Sequence, residues 1–152
     1  MDNNNKYDFY HGDSYIEDFS FYRIPKELFS MEYVFLPGEA KLLYAIMLDR
    51  TSLSLKNHWV DEHDNVYIYF TLEDVTRYLG VSPNKATRLL DKLDDKRGFG
   101  LIHRKRQGQG KPSRIYVKNI QSAGKEVINI CDEYQNPDMS DLVFKNLQFD
   151  RS

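Results

Sequence analysis

With 152 residues, of which 41% are hydrophobic and 29% charged, the chain is long enough for one domain with a buried core plus terminal extensions. No apolar run approaches the roughly 20 residues of a membrane-spanning helix, and the polar start lacks the pattern of a secretory signal, so neither a spanning nor a secreted protein is expected. The single cysteine, Cys131, has no internal disulfide partner, which favours a reducing, cytoplasmic setting.

The formal net charge of -2 hides an uneven distribution of charge along the chain. Residues 83–118 contain eleven basic and three acidic side chains, a net charge of +8, whereas the rest of the chain is acidic. Because screening limits the reach of such a patch to about 8–10 Å, this concentration of positive charge indicates an anionic partner at one surface.

The first half of the chain contains an aromatic segment and one amphipathic helix. Residues 19–29 are predicted to be extended before Pro25 and helical after it. A helix over residues 39–51 is predicted from apolar residues at the spacing of one helical face: Ala40, Leu43, Tyr44 and Met47. Three more apolar residues widen that face, so we expect burial on more than one side: Leu42, Ile46 and Leu48.

Two β-prone runs follow, at residues 58–60 and 66–70, with a polar turn between them. Such a pair predicts a hairpin or a pair of strands. The histidines on either side of the turn, His58 and His63, are interpreted as solvated surface residues.

Two short amphipathic helices are predicted between residues 71 and 93. Thr71 and Asp74 match a capping box at the start of the first helix, and Gly80 can end it in a left-handed conformation. Ser82 is the expected N-cap of the second helix. The inward faces carry apolar residues at helical spacing, namely Leu72, Val75 and Leu79 in the first helix and Ala86, Leu89, Leu90 and Leu93 in the second. Two such helices joined by a tight turn are typical of a helix-turn-helix.

A basic hairpin is predicted directly after this motif. Residues 101–104 and 114–117 read as strands, and residues 105–112 as a glycine-containing basic loop. A helix-turn-helix followed by such a hairpin, called the wing, indicates the winged variety. The predicted fold class is therefore α+β, a winged helix-turn-helix with a three-helix core, a β-hairpin wing, and N- and C-terminal extensions.

The second helix of the motif, called the recognition helix, is expected to enter the major groove of duplex DNA, which is about 12 Å wide and admits one helix. When its apolar face points to the core, Asn84 and Arg88 point the opposite way, so we predict that they read base edges. The flanking side chains are predicted to contact phosphates: Lys85, Thr87 and Lys92. An ordinary solvated helix face is the alternative, but the neighbouring basic wing favours DNA contact.

The wing is predicted to contact phosphate or an adjacent minor groove. The predicted contacts are Arg104, Lys105, Arg106, Gln107, Gly108, Lys111 and Arg114. We expect neutralisation of Arg104, Lys105 or Arg106 to weaken binding to all sequences and to flatten the salt slope by up to about 0.9 per lost contact. Three aspartates late on the recognition helix are expected to face away from phosphate or to pair with Lys92, Lys96 and Arg97: Asp91, Asp94 and Asp95.

No motif for catalysis, a cofactor or a metal is recognised. Gly110-Lys111 lacks the glycine five residues earlier and the following Ser or Thr that a phosphate-binding loop needs. The four histidines and Cys131 show no metal-ligand spacing, and nothing near Cys131 suggests a nucleophile. A non-enzymatic protein without metal or cofactor is therefore expected.

Several stretches resemble the RepA N-terminal domain family of plasmid replication initiators from low-GC Gram-positive bacteria. The most distinctive are Leu-Asp-Arg-Thr-Ser-Leu-Ser at residues 48–54 and Arg-Lys-Arg-Gln-Gly-Gln-Gly-Lys-Pro at residues 104–112. The others are Phe-Tyr-Arg-Ile-Pro-Lys-Glu-Leu-Phe at 21–29, Glu-Ala-Lys-Leu-Leu-Tyr at 39–44 and Asn-Val-Tyr-Ile-Tyr-Phe-Thr at 65–71. Together the resemblance covers about residues 20–120.

This resemblance implies a domain that binds repeated double-stranded sites (iterons) at a plasmid origin, commonly as a homodimer, to start replication and control copy number. It also implies that host replication proteins are engaged through a separate C-terminal domain. The expected organisation is a polar extension at residues 1–20, a winged-helix DNA-binding domain at 21–120, and an acidic linker or tail at 121–152 that leads toward that domain.

Two other functions remain open for the same fold. A transcriptional regulator would bind DNA in the same way but at a promoter. A winged helix used as a protein-interaction module would instead direct its basic patch at an acidic partner.

Overall fold

The computed structural model of the protein describes residue 7, residues 9–12 and residues 20–123. Most of the predicted N-terminal extension, the predicted acidic segment after residue 123, and Cys131 lie outside the described residues. In the described part, no helix has the length and apolar character to cross a membrane.

The described elements follow the predicted order of a winged helix-turn-helix. Two short 3-10 helices come first: Lys26–Phe29, as predicted for the residues after Pro25, and Met31–Tyr33, which was not predicted. The remaining elements are α1 (Gly38–Lys56), β1 (Ile68–Tyr69), α2 (Leu72–Leu79), α3 (Pro83–Leu93), β2 (Ile102–Lys105), β3 (Arg114–Val117) and a 3-10 helix (Ile120–Ala123). This arrangement is the predicted α+β class.

Helix α1 has the predicted core face but is longer than predicted. It continues to Lys56 instead of ending at residue 51, because the hydroxyls of Thr51 and Ser52 donate to main-chain carbonyls one turn earlier and do not interrupt the helix. The four residues of its predicted face are buried, and so is Ile46. The prediction was wrong for Leu42, whose side chain is exposed because it lies on the side of α1 away from the core.

The helix-turn-helix is built by the capping interactions that were predicted. Thr71 Oγ1 accepts from the Asp74 amide at 3.1 Å, and the Thr71 amide donates to Asp74 Oδ2 at 2.9 Å. Gly80 ends α2 with φ of 62°, a left-handed conformation that glycine adopts without a Cβ clash. Ser82 Oγ accepts from the Lys85 amide at 3.3 Å and starts α3.

The inward faces of α2 and α3 are confirmed with one exception. Val75 is fully buried and Leu79 packs against the core, as do the four predicted apolar residues of α3. Leu72 is 38% exposed, because it is the first residue of α2 and lies at the edge of the helix packing.

The strands form an antiparallel sheet in the order β1-β3-β2. The predicted pairing of residues 58–60 with 66–70 is reduced to one bridge between Val60 and Val66, because β1 pairs with the returning wing strand β3. One side of the sheet is buried against the helices through Ile68, Ile102 and Ile115. Since side chains alternate along a strand, the opposite side carries the intervening residues.

Candidate nucleic-acid interface

Helix α3 presents a polar face to solvent. The residues predicted to contact DNA are all exposed there: Asn84, Lys85, Thr87, Arg88 and Lys92. Among the described residues, Arg88 and Lys92 have no ion-pair partner. The side chains that the major-groove hypothesis requires are therefore accessible on one helix.

Two of these residues also make local contacts. Lys85 Nζ lies 2.7 Å from Glu39 Oε1 on α1, but both side chains are more than 40% exposed, and surface pairs of this kind contribute little to stability. Thr87 Oγ1 donates to the Pro83 carbonyl at 3.0 Å, which leaves its lone pairs free to accept. Neither contact prevents an approach to phosphate.

The chain returns from α3 to β2 by folding back over the end of the helix. The Leu101 amide donates to the Leu93 carbonyl at 2.8 Å, and the Phe99 amide to the Lys92 carbonyl at 2.8 Å. Gly98 lies so close to this helix end that a Cβ atom on it would be 2.0 Å from the Lys92 carbonyl oxygen. Backbone contacts therefore join the start of the wing directly to the end of α3.

The wing has two parts, a wing root at residues 101–104 and 114–118 and a wing tip at residues 105–113. Arg104 is in the root, on the same side of β2 as the buried Ile102. Its guanidinium donates to Asp94 Oδ2 and, at 2.7 Å, to Asp91 Oδ1, so its side chain is only 27% exposed. The structure thus places Arg104 against α3 and not in the exposed row of cations predicted from the sequence.

These contacts shift the pKa values of the groups involved. Burial alone would lower the pKa of Arg104, but hydrogen bonds to Asp91 and Asp94 outweigh it and raise that pKa. The hydrogen bond from Arg104 is also the main reason why the pKa of Asp91 lies below its ordinary value. Both directions favour the charged pair.

Asp95 forms a second ion-pair group at the wing root. Its Oδ2 lies 2.8 Å from His103 Nδ1 and 3.2 Å from Lys118 Nζ. Burial would raise the pKa of Asp95, but the hydrogen bonds from His103 and Lys118 outweigh this effect and lower it. Lys118, just after β3, therefore compensates the negative charge of this aspartate, and His103 on β2 forms a hydrogen bond with it.

The predicted partners of the three aspartates are correct in one case. Asp91 does approach Arg97, at 3.4 Å. Asp94 instead accepts from the main-chain amide of Lys96 at 2.8 Å, and its ion-pair partner is Arg104. Sequence proximity suggested neighbours on the helix, whereas the return of the chain brings cations from the wing closer.

The wing tip has a different environment. Its three cations, Lys105, Arg106 and Lys111, are exposed and have no ion pair with any residue in the described part of the chain. Gly108 and Gly110 have φ of 115° and 79°, values that favour glycine, and a Cβ on either would meet nothing within 4 Å. The tip is thus an open turn that a nucleic-acid backbone can approach closely.

Two predicted contact residues brace the wing on the side of the sheet away from the helices. Gln107 Nε2 donates to the Tyr69 hydroxyl at 3.2 Å and to the Pro112 carbonyl at 3.1 Å. The Arg114 guanidinium lies 4.3 Å from the centre of the Tyr67 ring, a cation–π distance. Both side chains therefore already make contacts within the protein.

The sequence reasoning missed an aromatic cluster on this outer side of the sheet. Its rings lie 5.6–6.4 Å apart in edge-on or tilted pairs: Trp59 with Tyr69, Tyr67 with Tyr69, and Tyr67 with Tyr116. The signal was present in the alternation of Tyr67 and Tyr69 with the buried Ile68 and Phe70, which places both tyrosines on one side of a strand.

Comparisons with known proteins find a matching family and similar solved structures. A family model described as "Replication initiator protein A (RepA) N-terminus" matches residues 20–130. A 41 kDa protein from Lactobacillus helveticus is 38% identical over 104 residues, which are 64% of this chain and 29% of that protein. The alignment with this relative therefore spans less than a third of its length.

Three solved structures with the same fold are described as DNA-binding, Rep or initiator proteins. "N-Terminal domain of DNA binding protein" has a TM-score of 0.63 and 29% identity and covers 86% of this chain and 97% of that one. "Structure of Rep-DNA complex" has a TM-score of 0.60 and 32% identity, and the match covers 79% of this chain and 90% of that one. "Structure of MDR initiator" has a TM-score of 0.55 and 29% identity, and the match covers 72% of this chain and 93% of that one.

Proposed function

Because this chain belongs to the RepA N-terminal family, we propose that it binds double-stranded DNA sequence-specifically at a plasmid replication origin, as the origin-recognition domain of an initiator. The observation that carries this proposal is the pairing of an exposed polar face on α3 with an exposed cationic wing tip, in a fold shared with a solved Rep-DNA complex. The domain acts by binding and not by catalysis.

Helix α3 enters the major groove. Arg88 contacts guanine O6 and N7 in a bidentate manner, and Asn84 pairs with adenine N6 and N7. Lys85, Thr87 and Lys92 contact phosphates on either side and fix the register of the helix in the groove. The Lys85–Glu39 pair is exposed enough to exchange its carboxylate for a phosphate oxygen.

The wing tip contacts the DNA backbone or the adjacent minor groove. Lys105, Arg106 and Lys111 supply charge there, and Gly108 allows the main chain to come close to the sugar-phosphate wall. These contacts contribute affinity for any duplex, whereas α3 contributes the preference for one sequence.

The wider activity is proposed for the initiator to which such a domain belongs. Residues 21–120 act as the DNA-binding unit, commonly as a homodimer on repeated sites (iterons), and residues 121–152 connect it toward a region that engages host replication proteins. Origin binding by this unit in the cytoplasm starts replication and controls plasmid copy number.

Selection of bound sequences from random duplexes at a fixed salt concentration tests the proposal. We expect recovery of one short element that occurs several times in the origin of the source plasmid. An element found only at promoters would instead support a transcriptional regulator. Recovery of no element, together with unchanged DNA affinity after neutralisation of the wing tip, would support a protein-interaction module and exclude the proposed function.

A further inference from the structure

We infer that Arg104 is a positioning residue: it holds the wing against the C-terminal end of α3, so that the recognition helix and the wing tip reach one duplex together. This inference rests on the proposed function, which it deepens. It reverses the sequence-based expectation that Arg104 contacts phosphate directly.

The register of β2 directs the Arg104 side chain toward the helices. Arg104 is paired with Ile115 across the strands, and it alternates with His103 and Lys105, which lie on the opposite side. Ile115 is 2% exposed and belongs to the core. A guanidinium on this side of the strand faces α3, not the solvent.

Asp91 on α3 and Asp94 directly after it hold the guanidinium through two different nitrogen atoms. Nε donates to Asp94 and Nη2 to Asp91, a bridge that uses the planar fork of arginine. The carboxyl side chain of Asp94 is only 6% exposed. If Arg104 turned outward to a phosphate, it would leave this carboxylate without its counter-ion in a buried site, an arrangement that is strongly unfavourable.

The bridge lies at the point of the wing where it can set the direction of the tip. Backbone hydrogen bonds attach Leu101 and Ile102 to the end of α3. Arg104 extends the attachment two residues further toward the tip, and Lys105 after it has no ion pair with the described residues. Arg104 therefore fixes the direction in which the free tip leaves the helix, and this pre-organises both contact surfaces for one binding event.

The experiment compares Arg104→Met, which keeps most of the aliphatic stem, and Arg104→Lys, which keeps the charge, with Lys105→Gln on the opposite side of the strand. DNA affinity is measured over a range of salt concentrations for each variant. We expect both Arg104 variants to lose affinity roughly ten-fold, the cost of ordering a loosened wing on binding, with an unchanged salt slope. Lys105→Gln should lower the salt slope by up to about 0.9.

Amide hydrogen exchange of the free protein gives a readout that needs no DNA. We expect the amides of residues 104–105 and 114–115 to exchange roughly ten-fold faster in both Arg104 variants and in Asp91→Asn, which leaves Arg104 in place but removes the negative charge of one partner. Lys105→Gln should not change their exchange. If Arg104→Met does not fold, Arg104→Lys and Asp91→Asn still give this comparison.

Wild-type affinity in Arg104→Lys, combined with a salt slope lowered by about 0.9 in Arg104→Met, would show a direct phosphate contact and overturn the inference. Unchanged exchange in all three variants would also overturn it. Failure of the wild-type protein to bind any duplex would contradict the proposed function alone, since the exchange data would still decide whether Arg104 holds the wing.

Discussion

The root and the tip of the wing carry the same kinds of side chain in opposite environments. At the root, His103, Arg104 and Lys118 each approach an aspartate at the end of α3. At the tip, the cations extend from an open turn without such partners among the described residues. Charge at the root connects two parts of the protein, whereas charge at the tip is available to a ligand.

This comparison shows why a count of basic residues overstates a binding surface. Residues 83–118 carry a net charge of +8, yet a cation held by a buried carboxylate is expensive to withdraw from it. The same ion pairs also compensate Asp91, Asp94 and Asp95 at the end of α3, so those carboxylates present less negative charge to an anionic ligand.

Neutralisation of the tip should have the largest effect on DNA binding. The triple variant Lys105→Gln, Arg106→Gln and Lys111→Gln removes up to three phosphate contacts, so the salt slope should fall by up to about 2.7. Stability should change by less than about 0.5 kcal/mol, because these side chains are exposed. Fluorescence anisotropy at several salt concentrations and urea unfolding measure the two quantities, and a large loss of stability would contradict the assignment of the tip as a free surface.

Gly98→Ala should instead disturb the return segment that joins α3 to the wing root. The added Cβ would meet the Lys92 carbonyl oxygen at 2.0 Å, so the backbone must shift, and we expect a loss of about 1–3 kcal/mol in the free energy of unfolding. Gly38→Ala is the matched control, because a Cβ there meets nothing within 4 Å at the start of α1. Equal stabilities of the two variants in urea would show that the return after α3 is more tolerant than its geometry indicates.

Arg88→Ala tests sequence reading by α3 independently of the wing. We expect a loss of about 1–3 kcal/mol in binding free energy at one base pair of the selected element, with little change on random DNA. Titration of the variant against all four bases at each position of the element measures this effect. A similar loss on random duplexes would mean that Arg88 acts through phosphate.

The smallest of the predicted effects is a loss of stability in acid, through the ion pairs that Asp91 and Asp95 form with the wing root. The pKa values of Asp91 and Asp95 are lowered in the folded protein, so between those values and the ordinary aspartate pKa of about 3.9 the unfolded chain binds more protons than the folded protein. Their stabilising contribution is therefore present above that pH and is lost as the pH falls through the folded pKa values. Urea unfolding between pH 3 and 7 should show a shallower acid loss for Asp91→Asn than for Lys105→Gln.

Much of the fold could be predicted because its determinants are local. The caps at Thr71 and Ser82, the left-handed Gly80 and the apolar spacing of α3 all follow from neighbours within one or two helical turns. The pairing of β1 with β3 could not be predicted in this way, since it joins residues more than 40 positions apart. The last residues of α1, 52–56, were missed because they lie beyond the apolar spacing that predicted the helix, which ends at Met47.

In the candidate site, too, the features set by local sequence could be predicted and those set by the fold could not. The exposed face of α3 follows from helical periodicity, and the exposed tip follows from glycines and charge. The inward direction of Arg104 was available from its position two residues after Ile102 on the same strand. The identity of its partners was not, because only the fold of the return segment places Asp91 and Asp94 beside β2. Gln107 and Arg114 were assigned to DNA for the same reason, without knowledge of the tyrosines behind them.

The single tryptophan of the chain gives this architecture a built-in optical probe. Trp59 packs edge-on against Tyr69, whose hydroxyl receives the Gln107 hydrogen bond from the wing tip. Its indole is half in contact with solvent, so its emission responds to changes in that contact. Movement of the hairpin upon association with a duplex should therefore change the intrinsic fluorescence, and the kinetics of that step can be followed without an attached dye.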